Sequence, residues 1–200
     1  MNIKTIPAGI YEANCYIVSD EATGEAVVMD PGGDVEIIEH EIEKLGAKVK
    51  SILLTHGHFD HVGGVLELSK QLNVPFYISK TDEEYMDKDT SQVYGKLSKA
   101  SHYLKEGTDI LVGDKSIKVF ETPGHTKGGV CFLVEDNLFT GDTLFKGSIG
   151  RTDFIGGSFE EIIKSIEEKL IPLGDDIKVY PGHGPMSTIG FEKRNNPYLE

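Results

Sequence analysis

The spacing of apolar residues along this chain changes repeatedly, and each change marks an element. Short apolar or alternating runs at Lys4–Ile6, Cys15–Ser19 and Ala26–Met29 predict strands. A helix is expected next, with Asp34 as its cap, Ile38, Ile42 and Leu45 at i, i+4 and i+7, and Gly46 as its stop. Ser51–Leu54 predicts a strand that runs straight into Thr55 and His56, and a second helix is expected from about Val62 to Leu72. Further strands are predicted at Phe76–Ser79, Ile110–Val112, Ile117–Glu121, Val130–Val134, Leu138–Thr140 and Ile177–Tyr180. Ser158 and Glu161 form a capping-box pattern ahead of Ile162, Ile166 and Leu170 at helical spacing. The stretch from Lys80 to Gly107 is polar and leans towards helix. Strands and helices mixed in both halves, with hairpin-like pairs, predict a layered α/β sandwich forming one domain over residues 1–200.

Composition narrows the classes of function. No apolar run approaches the roughly 20 residues of a membrane span, so no membrane partner is expected. The first residues carry no basic stretch followed by an apolar one, so a cytoplasmic location is expected. Cys15 and Cys131 lie in the apolar runs NCYIV and VCFLV without CxxC spacing, which predicts buried, reduced thiols. A net charge of −13, with no cluster of lysine and arginine, disfavours nucleic acid as a partner.

The chemistry concentrates in Thr55-His56-Gly57-His58-Phe59-Asp60-His61. His56 and His58 are two apart, so in an extended segment both rings fall on one side, while Asp60 and His61 begin the next helix. Such a segment can serve two adjacent ions. Three further candidates share the context of strand end, glycine, ligand: His125 in TPGHT, Asp142 in TGD and His183 in PGHG. Glycine lets the backbone turn tightly there. Any one of these three alone reads equally well as a cap or a core hydrogen-bonding group. Together with the dense first segment, whose buried imidazoles need a cation or partners, they point to a metal site. Five of the seven histidines belong to the set, and His40 and His102 sit among polar residues as solvated side chains.

At these residues the sequence resembles the metallo-β-lactamase superfamily, through THGHFDH and the later His, Asp and His, and within it the glyoxalase II-like branch. Supporting segments are Asp30-Pro31-Gly32-Gly33, TGDTLF from Thr140 and GSIGRTD from Gly147. The resemblance implies a four-layer αββα sandwich. It implies that His56, His58 and His125 hold one metal, that Asp60, His61 and His183 hold a second, and that Asp142 bridges the two. Asp60 would also orient or deprotonate the bridging water. Asp30 would support the ligands from behind, although a Pro-Gly turn residue is an equally good reading. Imidazole and carboxylate without thiolate suit zinc, and also iron or manganese.

Two divalent ions about 3.5–4 Å apart generate hydroxide at neutral pH and polarise a carbonyl. Once the ligands are assigned, no histidine remains to protonate a departing amine, whereas a thiolate leaves unaided with a thiol pKa near about 8.5. The expected function is therefore a metal-dependent hydrolase of small-molecule thioesters such as S-lactoylglutathione. The alternatives are a persulfide dioxygenase using one iron at His56, His125 and Asp142, or a lactonase or other ester hydrolase on the same fold. Arg151 falls where the resemblance implies a basic residue near the glutathione glycine carboxylate, and it reads equally well as a salt-bridge partner. The segment from Gly184 to Glu200 is too short for the helical C-terminal domain of glyoxalase II, and Asp153 stands where that branch has an aromatic residue. Both departures bear on glutathione specificity.

Overall fold

In the computed structural model, which describes residues 1–199, the chain folds into four layers: helices, sheet, sheet, helices. The first sheet contains β1 (Asn2–Ala8), β2 (Ala13–Ser19), β3 (Glu25–Met29), β4 (Lys48–Leu53), β5 (Phe76–Ser79) and β6 (His102–Leu104), in that order across the sheet. Between them run α1 (Val35–Leu45), α2 (Phe59–Val62), α3 (Val65–Leu72) and α4 (Lys80–Lys88). The second half adds β7 (Ile110–Val112), β8 (Lys115–Glu121), β9 (Val130–Val134), β10 (Asn137–Gly141), a small hairpin of β11 (Leu144–Phe145) and β12 (Ser148–Ile149), α5 (Phe159–Ser165), β13 (Lys178–Pro181), β14 (Ser187–Thr188) and α6 (Ile189–Asn195). The second sheet is ordered β14-β13-β10-β9-β8-β7.

Side-chain alternation assembles these layers. In β2, Cys15 and Ile17 face α1 and α3, packing with Ile38, Ile42, Val65 and Leu68. The intervening Tyr16 and Val18 face the second sheet, against Ile117, Val119, Phe132 and Phe139. Cys131, Leu133 and Leu138 point outwards from the second sheet onto Ile162, Ile166 and Leu170. Strands buried on both faces account for the near-continuous apolar runs of the sequence. Both cysteines are buried and unpaired, with the Cys131 thiol pushed up to about 11 by burial. Among the described residues no helix is long and apolar enough to cross a membrane.

Three local expectations are corrected. The helix expected from Val62 to Leu72 is broken between α2 and α3, because Gly63 and Gly64 pack against the Pro31–Gly32 backbone and the Gly64 amide donates to the Pro31 carbonyl at 2.8 Å. Asp34 precedes α1 but does not cap it with its side chain; its carboxylate accepts from the Gly9 amide at 2.8 Å. The helix in the 80–107 stretch ends at Lys88, and the chain from Asp89 then returns to the site, where Tyr94 pairs with His58 as an isolated bridge. The Ser158 hydroxyl does cap α5, accepting from the Glu161 amide at 3.3 Å. Beyond α5 the helix widens into a π turn over Ile166–Leu170.

Candidate metal centre

Most candidate side chains lie just past the carboxyl end of a strand, as ligand sites in α/β sheets do, and Asp60 and His61 sit in α2, which follows β4. Asp30 follows β3, and His56 follows β4 after Leu54 and Thr55. His125 follows β8, Asp142 follows β10, and His183 follows β13. β3 and β4 run parallel, as do β10 and β13, so their ends share one edge of each sheet. At Gly141 the backbone takes φ +48, and a Cβ there would run into Thr55, so glycine is needed to bring the two sheets' loops together.

The seven residues converge in two groups. Ligand atoms of His56, His58 and His125 lie within 4.8 Å of one another, and so do those of Asp60, His61 and His183. Asp142 stands between them. Its Oδ1 is 3.3 Å from His61 Nε2, while its Oδ2 is 3.5 Å from His125 Nε2 and 3.8 Å from His183 Nε2. Within the first group His58 Nδ1 and His125 Nε2 approach to 2.9 Å. Within the second, Asp60 Oδ2 is 3.2 Å from His183 Nε2 and 3.9 Å from His61 Nε2.

Hydrogen bonds behind the rings fix their tautomers. His125 Nδ1 donates to the Arg151 carbonyl at 2.7 Å. His61 Nδ1 donates to Asp30 Oδ2 at 3.1 Å, and His56 Nδ1 lies 3.0 Å from the Thr55 hydroxyl, which itself donates to Asp30 at 2.5 Å. His56 and His125 therefore turn a lone pair on Nε2 into the cluster, and His61, held through Nδ1, aims its Nε2 there as well. The resulting test of fit to metal is direct: His56 Nε2, His61 Nε2 and Asp142 Oδ1, together with His58 Nε2, are buried and make no hydrogen bond with protein. Uncompensated buried polar atoms are costly, and a divalent cation satisfies inward-facing lone pairs and carboxylate oxygens. The donor set of imidazole and carboxylate fits that class of ion.

The two groups differ in charge. Burial, reinforced by neighbouring histidines, holds His56 well below the ordinary imidazole range and pushes His58 down to about 3; burial also lowers His125. Burial also opposes the cation at His61, but the Asp142 and Asp30 carboxylates outweigh it and hold that ring well above the usual range. The Asp60 hydrogen bond raises His183. Asp60 and Asp142 are both lowered, their burial being outweighed by the adjacent imidazoles.

Around the cluster lies a cleft of about 340 Å³ lined by Tyr11, Phe59, Val93, Arg151 and Phe154 as well as candidate ligands. The Arg151 guanidinium is held by Asp153 and lies over the Phe154 ring, 3.7 Å from its centroid. Sequence reasoning missed Asp82, which is fully buried and accepts from the Gly57 amide at 2.9 Å, the Thr126 hydroxyl at 2.8 Å and the Gly128 amide at 2.7 Å. It thereby ties the His56–His58 loop to the His125 loop. The one local signal was Ser79-x-x-Asp82, which forms the N-terminal cap of α4. The aromatic wall of Tyr94, packed 4.9 Å from His58, was also missed. His40 and His102 are exposed and remote from the cluster, as expected.

A four-layer αββα sandwich carrying two facing His/Asp groups at one edge defines a class of metal-binding protein. The chain belongs to the metallo-beta-lactamase superfamily, which it matches over residues 8–183. It is 38% identical over 210 residues to the hydroxyacylglutathione hydrolase GloC of Haemophilus influenzae, covering 100% of this chain and 98% of that protein. The crystal structure of the B3 metallo-beta-lactamase BLEG-1 superposes with a TM-score of 0.91 at 35% identity, covering 99% of each chain. The di-iron-bound form of TTHA1623 superposes with a TM-score of 0.86 at 33% identity, covering 98% of this chain and 100% of that one.

Proposed function

We propose that this chain is a dinuclear metal-dependent hydrolase of small-molecule thioesters, with S-acylglutathiones among its substrates, working as one domain over residues 1–200 in the cytoplasm. The observation that carries the reading is the pair of three-ligand groups sharing the Asp142 carboxylate, with buried nitrogen and oxygen atoms that no protein group satisfies. His56, His58 and His125 would hold one ion and Asp60, His61 and His183 the other, with Asp142 serving both. Divalent ions bound there, zinc in the first instance and iron or manganese as fitting substitutes, lower the pKa of water and act as Lewis acids towards a carbonyl. The di-iron form of one relative supports occupancy by two ions.

The side chains divide the remaining work. Asp60 is ionised and faces the cleft, so its carboxylate orients the attacking water and accepts a proton from it. Asp30 and the Arg151 carbonyl hold His61 and His125 in the tautomers that present Nε2. Phe59, Val93 and Phe154 exclude water from one side of the cleft. Apart from the candidate ligands, the polar side chains lining it are Tyr11, at the rim and 61% exposed, and Arg151, whose pKa the Asp153 carboxylate raises further. A thiolate leaves without protonation, which fits a cleft with few proton donors beyond the candidate ligands. The hydroxyacylglutathione hydrolase relative supports the same substrate class, and the buried, unpaired cysteines fit a reducing compartment.

Anaerobic turnover of S-lactoylglutathione by metal-loaded protein tests this reading, with a β-lactam and glutathione persulfide as competing substrates. Thioester cleavage should persist without oxygen, survive exchange of iron for zinc, and collapse in His183→Ala. Iron-dependent oxygen uptake without thioester cleavage would establish a dioxygenase instead, and faster turnover of the lactam would move the substrate class to amides.

A further inference from the structure

Arg151 is the one lysine or arginine among the described residues that line the cleft, and its charge is already engaged. Its Nε donates to Asp153 Oδ1 at 2.8 Å and its Nη2 donates to Asp153 Oδ2 at 2.7 Å, the two-pronged geometry in which guanidinium and carboxylate match best. The guanidinium also lies over the Phe154 ring, 3.7 Å from its centroid, which holds it against the wall of the cleft. Its backbone is fixed too, because the Arg151 carbonyl accepts from His125 Nδ1. The Arg151 hydrogen bond holds Asp153 well down the carboxylate range, at about 2, so its carboxylate is ionised near neutrality.

A carboxylate arriving along this wall meets a cation whose Nε–Nη2 edge is occupied, with a second carboxylate beside it. It also meets a protein of net charge −13. An uncharged group meets Phe154, Phe59, Val93 and Tyr11 instead. We propose that Asp153 is the specificity-determining residue of the cleft: by occupying Arg151 it selects thioesters whose portion along this wall is uncharged and penalises those that place a carboxylate there. The inference rests on the thioester reading above and sharpens it, since glutathione thioesters carry carboxylates. Asp153 acts through Arg151, without touching substrate, so its signature is in binding and in KM.

The test uses metal-loaded protein and two thioesters of one acyl group, S-lactoylglutathione and the lactoyl thioester of N-acetylcysteamine. Asp153→Ala should lower KM for the glutathione thioester about three- to tenfold, the range expected when a charged hydrogen-bond donor is released at an exposed site. kcat should move less than KM, so that the selectivity ratio between the two substrates shifts towards glutathione. Asp153→Glu should restore the original ratio, and Asp153→Ala combined with Arg151→Met should erase the gain. Calorimetry with S-methylglutathione, which is not hydrolysed, should show the same tightening of Kd in Asp153→Ala. An unchanged Kd in a variant that melts like the parent overturns the proposal, as does an equal gain for the uncharged thioester. Failure to cleave either thioester overturns the thioester reading, and the calorimetric arm still decides the role of Asp153.

Discussion

Lowering the pH should remove the two proposed ions in sequence, the Asp60–His61–His183 ion first. Before metal binds, His61 and His183 carry protons stabilised by Asp142, Asp30 and Asp60, and metal must displace them. His56, His58 and His125 are lowered, so the first group has no proton to release near neutrality. The carboxylates are lowered as well and add no proton of their own. Below the raised pKa values of His61 and His183 the second ion loses affinity as protons compete, while the first does so only at far lower pH. Below both raised values, two displaced protons correspond to about 100-fold in affinity per pH unit, or about 2.7 kcal/mol. Metal content after equilibration with buffered zinc at stepped pH gives the curve. His183→Ala, confined to the first group, should retain one ion with a shallow slope. Loss of both ions together with equal slopes, or a steep slope in His183→Ala, would refute the charge asymmetry.

Asp142 faces both groups, so Asp142→Ala should lower the affinity for both ions and abolish turnover; retention of two metals per chain by mass spectrometry would remove it from the shared position. Asp30→Asn should weaken metal binding about 10- to 100-fold through its tautomer-fixing bonds to His61 and Thr55 while leaving the fold intact, as checked by circular dichroism and metal titration. Asp82→Asn places an amide NH₂ against the Gly128 amide or against the Gly57 amide, so it should cost about 2–3 kcal/mol. In a chain of this length that is about 5–10 °C in melting temperature, and an unchanged melt would show that the three hydrogen bonds carry no net stability.

The candidate ligand groups, which the structure brings together, stood out in the sequence because most sit in a local pattern of apolar strand, glycine and donor. Strand end, turn and ligand are neighbours in the chain, so Gly124-His125 and Gly182-His183 carry their own context. The layers were also legible, since runs such as VCFLV require burial on both faces. What stayed hidden depends on pairs distant in sequence. Asp82 meets Gly57 across 25 residues and Gly128 across 46, and nothing around any of the three announces the others. Tyr94 reaches His58 from a stretch without period. The break between α2 and α3 was missed because Val62, Val65 and Leu68 keep helical spacing across it; only contact with the Pro31–Gly32 backbone reveals why the chain must turn there. Of the two readings of Arg151, the structure shows the salt bridge, to Asp153, in a residue that also lines the cleft.

The origin of each candidate ligand bears on what a bound metal would do for the fold. His56, His58, Asp60 and His61 come from the first sheet, whereas His125, Asp142 and His183 come from the second. Each group draws on both sheets, His125 completing the first and His183 the second. Neither group can therefore exist until the two sheets have docked through Tyr16, Val27, Leu53, Phe132 and Phe139. An ion that binds only the docked state stabilises it by mass action, adding about 2.7 kcal/mol when free metal is 100 times its dissociation constant. The same coupling explains the placement of Asp82, whose carboxylate joins loops from both sheets without any metal and holds the first group in register beforehand. Packing of the sandwich, the hydrogen bonds of Asp82 and Asp30, and the ions thus act on a single equilibrium, so a weakened inter-sheet core should lower metal affinity even where no ligand is touched.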